Sequence, residues 1–331
     1  MLMFILLFLS VLGFLGIVIH LSLDKKNNYK DLKGKHVVIT GGSSGIGKAA
    51  AMEAAKLGAH ITVIGRDVSK LTSAVTEITA NCSDKSNQKI QYAALDVTSN
   101  YKSIEECFAS VEEKMGPIFM LVNCAGMCIC GQFEKMNVDD IKQMIDLNYF
   151  GTAYPTRYVL PGMRERNEGL VVFVCSEAAL IGVYGYSAYS AGKWAVRGLA
   201  EAVTMELVGT EVRVMLAFPP DTDTPGMQNE ELTKPEETKL ISGTSGLHSA
   251  DDVGKQMIHD ALVGKTYSVY SITGKLLITM FGSSMESGAQ VVLQVISMGF
   301  LKIVSSGILL SFNKIVRDSL KKKIKVQFHI I

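Results

Sequence analysis

The sequence predicts an α/β fold: a doubly wound parallel sheet with helices on both faces, carried between two apolar ends. Three observations point there. Short β-rich runs alternate with helix-forming stretches across residues 34–268. A strand-like run, a glycine loop and a helix former follow one another at residues 36–55. Residues 1–24 and 269–331 lack this alternation and are rich in apolar side chains. The expected organisation is an N-terminal transmembrane anchor (1–24), a nucleotide-binding domain (34–268) and a membrane-associated C-terminal region (269–331).

The chain has 331 residues and a formal net charge of +1, so no overall field favours nucleic acid. Several of its six cysteines fall in or beside strand-like runs. Cys124, Cys128 and Cys130 are close enough to raise the question of a metal. No histidine lies near them and no second cluster completes a set of four ligands. Reduced thiols and no metal are expected, as in a reducing compartment.

Residues 1–23 carry no acidic or basic side chain except His20. As a helix they would span roughly 34 Å, enough for a bilayer. The segment has an uncharged start, a long core and no small-residue cleavage site, which favours a retained anchor over a signal peptide. The lysines after residue 23 favour a cytosolic location for the central domain.

The run at 36–40 leads into Gly41, Gly42, Ser43, Ser44, Gly45, Ile46 and Gly47, and then into an alanine-rich helix. Glycines let a turn tighten and let the backbone approach a pyrophosphate, while the helix amino terminus offers free N–H groups. A second strand at 60–64 ends in Gly65-Arg66-Asp67. An acidic residue in that slot would hydrogen-bond the ribose hydroxyls of NAD. Arg66, with Lys70 four residues on, suits a 2′-phosphate instead, so the expected cofactor is NADPH.

A polar helix at 68–80 precedes a third strand at 90–95, which ends in Asp96-Val97, where the carboxylate could meet the adenine amino group. A fourth strand at 119–122 runs into Asn123-Cys124-Ala125-Gly126, whose small residues leave room for the adenosine half of the cofactor. Asn148 falls within a helix beginning near residue 141, an unfavourable place for asparagine unless it has a task. A buried strand at 170–174 puts Ser176 at a carboxyl-terminal strand edge, where open α/β sheets hold their ligands.

Thirteen residues after Ser176 comes Tyr189, and Lys193 follows four later, on the same face of a helix. An ammonium beside a phenol should pull its pKa below the ordinary value near 10, helping it to donate a proton to a carbonyl oxygen. A strand at 212–218 ends in Pro219-Pro220 and leads to Thr224. The polar stretch 227–249 reads as a mobile substrate lid, and 251–262 as a closing helix. In the tail, apolar runs are interrupted by Glu286 and Lys302 and end in a basic segment including Lys321, Lys322 and Lys323. Two short spans, a hairpin or an in-plane segment all fit that pattern, as does a soluble oligomerisation element.

Taken together, Thr40-Gly41-x-x-x-Gly45-x-Gly47, Asn123-x-Ala125-Gly126, Asn148, Ser176, Tyr189-x-x-x-Lys193 and the proline turn with Thr224 resemble the short-chain dehydrogenase/reductase family over residues 34–265. Cys124 and Pro220 depart from its usual pattern without removing a chemical group. The resemblance implies a Rossmann-type fold and hydride transfer with Ser176, Tyr189, Lys193 and Asn148 as the catalytic set. Asn148 would hold a water that relays protons to Lys193. Ser176 and Tyr189 would contact the substrate carbonyl, and Lys193 and Tyr189 would also meet the nicotinamide ribose. Within the family, the glycine loop, the helix after Tyr189, the segment 219–226 and the apolar ends resemble reductases of sphingoid-base ketones. That implies a lipid substrate, the bilayer as partner and catalysis at the cytosolic face of the endoplasmic reticulum. A membrane-anchored steroid or retinoid reductase, and a non-catalytic NADP-binding scaffold, are the alternatives.

Overall fold

The structure, a computed structural model, describes residues 2–22, 28–243, 246–282 and 288–328. In chain order its elements are α1 (Leu2–Ser22), β1 (His36–Thr40), α2 (Gly45–Lys56), β2 (His60–Gly65), α3 (Val68–Ala80), β3 (Ile90–Ala94), α4 (Tyr101–Met115), β4 (Ile118–Asn123), α5 (Val138–Ile145) and α6 (Gly151–Arg166). They continue with β5 (Gly169–Val174), α7 (Ser187–Glu206), β6 (Val212–Phe218), β7 (Thr222–Asp223), α8 (Pro225–Glu231), α9 (Glu236–Ser242), β8 (His248–Ser249), α10 (Ala250–Leu262), β9 (Tyr267–Val269), α11 (Ile272–Phe281) and α12 (Gly288–Phe328).

The chain divides into two compact units, Asn27–Gly274 and a second made of Met1–Lys26 with Lys275–Ile331. The larger unit is built on a seven-stranded sheet in the order β3-β2-β1-β4-β5-β6-β9, every pair parallel. Strands β1, β4, β5 and β6 are buried along their whole length. That is why they read as largely apolar runs: helices cover both faces of a parallel sheet. The chain winds outward from β1 through β2 to β3, then returns to place β4 on the other side of β1. The crevice between the ends of β1 and β4 is the switch point where such sheets bind ligands.

Two elements carry little sequence signal. Helix α6 contains Pro155 and Pro161, residues that normally argue against a helix interior. Strand β9 is three residues long, and its pairing with Leu216, Ala217 and Phe218 of β6 defines it.

In the smaller unit, α1 packs on α12. Gly16 meets Gly288 there; a Cβ added at Gly288 would come within 2.5 Å of the Gly16 carbonyl carbon. Small residues permit such backbone approach between apolar helices. The helices include segments long and apolar enough to cross a membrane, Met3–Leu21 and Val291–Lys323. The tail differs from two short spans broken at Lys302: α12 is one helix of 41 residues. Lysine is a good helix former, and no proline interrupts the stretch, so a charge that breaks a hydropathy run leaves the backbone intact.

Candidate active site

The glycine loop connects β1 to α2. Gly45 has φ 53°, in the left-handed region, and a Cβ there would lie 2.9 Å from Thr224 Cγ2. A Cβ on Gly47 would sit 2.5 Å from the Gly41 carbonyl oxygen, so the first turn of α2 rests against the loop backbone. Ser44 is the N-cap of α2, yet its side chain makes no capping bond, which leaves first-turn N–H groups available to an anion. Thr40 fastens this loop to its neighbour across the switch point: its Oγ1 accepts from Cys124 N at 3.1 Å and Ala125 N at 3.2 Å. Sequence reasoning read Thr40 only as part of a motif, because this role depends on β1 lying beside β4.

Arg66 and Asp96 stand at the ends of β2 and β3, where parallel pairing brings them together; Arg66 Nη1 lies 3.7 Å from Asp96 Oδ2. Burial tends to raise the Asp96 carboxyl, but hydrogen bonds from Thr98 and the nearby guanidinium hold it below its ordinary value. Both residues border a cavity of about 290 Å³ that also touches Thr98, Lys142, Gln143 and Leu147. Val97 is buried against Gly151, where an added Cβ would meet it at 2.8 Å. Lys70 turns to Asp67, the N-cap of α3, at 3.9 Å. Asn123 is buried and donates from Nδ2 to Thr156 Oγ1 at 2.9 Å.

Asn148 lies in a π-helical turn, Asp146–Phe150, between α5 and α6, rather than in a regular helix. Such single wide turns often mark functional sites. The residue is fully buried, and its Nδ2 donates to Met127 O at 3.0 Å and Met144 O at 2.9 Å. Its Oδ1 has no hydrogen-bond partner among the described residues. A Cβ at Gly126 would fall 2.9 Å from that oxygen and 3.2 Å from Lys193 Nζ, so both polar atoms surround the space that Gly126 leaves open.

Helix α7 carries Tyr189 and Lys193 on one face, and Ser176 follows β5. Ser176 lies near enough to Tyr189 to favour its ionised form, and Ser176 Oγ accepts from Ala178 N at 3.2 Å. Lys193 is buried; its Nζ donates to Val174 O at 2.9 Å and lies 5.8 Å from the centre of the Tyr189 ring. This corrects the expected effect of lysine on tyrosine. Burial pushes the Tyr189 phenol well above its ordinary value, Glu230 and Asp221 add to the rise, and Ser176 opposes it. The ammonium is turned to a strand-end carbonyl, and desolvation lowers its own pKa. Cys124 and Cys175 are pushed up to about 11 and about 12 by burial, so neither offers Lys193 a thiolate at neutral pH.

The stretch expected to form a lid folds as α8, α9 and β8 over its described residues. Thr224 caps α8 by accepting from Met227 N at 3.1 Å. Lys234, whose side chain has 0% exposure, lies 3.0 Å from Glu230, 2.9 Å from Glu231 and 3.6 Å from Asp221. Thr238 Oγ1 donates to Tyr184 O at 2.7 Å. The lid is therefore pinned to the segment just before α7. Lys234 is a structural residue that the sequence does not reveal, because its partners define it. All six cysteines are free thiols. Cys128 and Cys130 lie 3.6 Å apart beside Glu230, whose carboxylate is paired with the Lys234 ammonium.

The site thus combines an anion-ready helix terminus, a cavity at the ends of β2 and β3, and an orphaned polar atom near a lysine and a serine–tyrosine pair. These features fit a dinucleotide with its reactive end at Tyr189. The pattern of the short chain dehydrogenase family matches residues 35–235. The chain belongs to that family. Short-chain dehydrogenases are oxidoreductases that use a nicotinamide dinucleotide, and this chain is one of them. It is 44% identical over 288 residues to the 3-dehydrosphinganine reductase of Danio rerio, covering 86% of each chain. It is 42% identical over 298 residues to the 3-ketodihydrosphingosine reductase of Bos taurus, covering 89% of this chain and 90% of that one. Among solved structures, a short-chain dehydrogenase/reductase from Burkholderia phymatum in complex with NAD aligns with a TM-score of 0.64 and 25% identity, over 72% of this chain and 89% of that one.

Proposed function

We propose that this chain uses NADPH to reduce the ketone of 3-dehydrosphinganine to the alcohol of sphinganine. The observation that carries the reading is Ser176 and Tyr189 brought together beside buried Lys193, in a chain that aligns along most of its length with reductases of that ketone. When bound, the reduced nicotinamide supplies the hydride. Ser176 and Tyr189 hold the carbonyl oxygen by hydrogen bonds, and Tyr189 Oη gives it a proton as negative charge develops there. The raised phenol pKa keeps that proton in place at neutral pH. Lys193 Nζ and Asn148 Oδ1 border a gap beside Gly126 that suits a bridging water, a route for restoring the proton to Tyr189. The ribose hydroxyls fall to Tyr189 and Lys193. Gly41, Ser43, Ser44, Gly45, Ile46, Gly47 and Thr224 would hold the pyrophosphate, and Asp96, Val97 and Asn123 the adenosine half.

The deciding assay follows NADPH absorbance with 3-dehydrosphinganine beside a panel of steroid and retinoid ketones. Turnover confined to the steroid or retinoid panel would assign the site to a different substrate.

The choice of NADPH rests on Arg66, whose side chain is 65% exposed at the end of β2 and able to turn toward a 2′-phosphate. A charge-assisted hydrogen bond contributes about 1.5–3 kcal/mol. Arg66→Ala is therefore expected to weaken NADPH by about 10- to 100-fold while changing NADH little, as measured by equilibrium titration. Equal losses for the two cofactors would show that Arg66 does not read the phosphate. Lys70 is the second candidate for that contact.

We place the larger unit on the cytosolic face of the endoplasmic reticulum membrane, held there by both apolar ends. Two membrane-length helices and basic segments flanking them support the placement. An epitope in the larger unit should be digested when sealed microsomes are treated with protease; protection without detergent would put it in the lumen.

A further inference from the structure

We infer that Glu230 is the specificity residue of this site, a carboxylate placed to hold the ammonium group carried on the carbon next to the substrate's ketone. The inference rests on the proposed reduction of 3-dehydrosphinganine and extends it to how the lid tells an amino ketone from a plain one.

Helix α8 runs from the glycine loop to Tyr186, which packs on Tyr189. It starts at Thr224, against Gly45 of the glycine loop, and Glu230 stands one residue before its end. There the Tyr186 hydroxyl donates to Glu230 Oε1 at 2.6 Å. The Tyr186 ring in turn meets the Tyr189 ring edge-on, with centroids 5.7 Å apart. One tyrosine thus separates the carboxylate from the ring that protonates the ketone. As a nearby negative charge, Glu230 adds to the rise of the Tyr189 phenol, which burial mainly sets.

A purely structural role leaves part of this arrangement unexplained. Asp221, Glu230 and Glu231 contribute three negative charges, and Lys234 and Lys239 return two positive ones. The cluster keeps one negative charge. Lys234 has 0% side-chain exposure, while Glu230 keeps 15%. Its Oε1 receives Tyr186 and faces Lys234, whereas its Oε2 takes no hydrogen bond among the described residues. That oxygen is not among the buried unsatisfied atoms, so it keeps contact with solvent and is open to a cation that enters beside it.

The substrate would supply that cation. With its carbonyl oxygen on Tyr189 and Ser176, its ammonium lies one carbon away and must leave bulk water as the site fills. Desolvating a charge without a partner is costly, and a charge-assisted hydrogen bond to a carboxylate offsets that cost. The other acid close to Ser176 is ill suited. Glu177 Oε1 already accepts from Ser271 Oγ at 2.5 Å, and burial pushes its carboxyl up toward the neutral form.

The test compares two ketones on the full-length, NADPH-loaded enzyme: 3-dehydrosphinganine and its des-amino analogue, 1-hydroxyoctadecan-3-one. Glu230→Gln is close in shape and leaves Lys234 its contacts with Glu231 and Asp221. It is expected to raise KM for the amino ketone by about 10- to 100-fold, with kcat changed much less and the des-amino ketone affected by about threefold at most. Tyr186→Phe, which removes one anchor of Glu230, should show the same selectivity at smaller size and provides the test if Glu230→Gln fails to fold. Equal losses for both ketones in either folded variant would overturn the role of Glu230 while leaving the proposed function standing. Failure of the wild-type enzyme to reduce 3-dehydrosphinganine would remove both.

Discussion

Tyr189→Phe should lower turnover by about a hundredfold or more while leaving cofactor affinity nearly unchanged. The substitution keeps the ring that packs on Tyr186 and removes only the hydroxyl that contacts Ser176. Stopped-flow measurement of NADPH oxidation, beside an equilibrium cofactor titration, separates the two effects. Near-normal turnover would remove Tyr189 from the proton path. The raised phenol pKa adds a test in pH. The folded phenol holds its proton above the ordinary value near 10. Ketone reduction, which needs the protonated form, should therefore show no loss from Tyr189 ionisation as pH rises through neutrality. Alcohol oxidation needs the phenolate and should keep rising into alkaline buffer. A reduction rate that falls between pH 6 and 8 with a Tyr189-dependent step would contradict the burial argument.

Gly47→Val should abolish measurable cofactor binding. The added Cβ would lie 2.5 Å from a backbone carbonyl oxygen at Gly41, and backbone has less freedom to move aside than the end of a side chain. Either α2 withdraws from the loop or the loop opens, and both displace the N–H groups meant for the pyrophosphate. A titration with NADPH should show affinity reduced by about a hundredfold or more, in line with losing several charge-assisted contacts at about 1.5–3 kcal/mol each. Gly47→Ala should show the same effect in weaker form. A valine variant that melts near the wild-type temperature and binds cofactor normally would mean that the loop adapts and does not cradle the phosphates.

Much of the sheet was legible from local pattern. Largely apolar runs marked β1, β4, β5 and β6 because both faces of those strands are covered. The spacing of Tyr189 and Lys193 placed them on one helix face, because 3.6 residues per turn leaves no other choice. What escaped depends on contacts far apart in sequence. Lys234 sits in a polar stretch that reads as solvated, yet its side chain is enclosed by three carboxylates. The direction of the Tyr189 shift turned on burial and on where the Lys193 ammonium points, and neither is written in a four-residue spacing. Asn148 stood out as an unfavourable helix residue, but the π-helical turn that exposes the reason needs the hydrogen-bond pattern itself. The course of the tail stayed open for the opposite cause: hydropathy registers Lys302 as an interruption, while backbone propensity carries the helix through it.

The mutual packing of α1 and α12 has a topological meaning for the unit between them. Asn27–Gly274 is joined covalently to both helices, so the polypeptide forms a loop fastened at its base by a non-covalent clasp at Gly16 and Gly288. A single proteolytic nick in the connection after Ser22 opens that loop without releasing it, since the larger unit still continues into α12. Two cuts, one on each side of Asn27–Gly274, are needed to set it free from the apolar ends. Closing a chain on itself also removes conformations from its unfolded ensemble, and the cost of that closure grows only slowly with loop length. Once the clasp has formed, the intervening chain folds as a tethered ring rather than a linear strand.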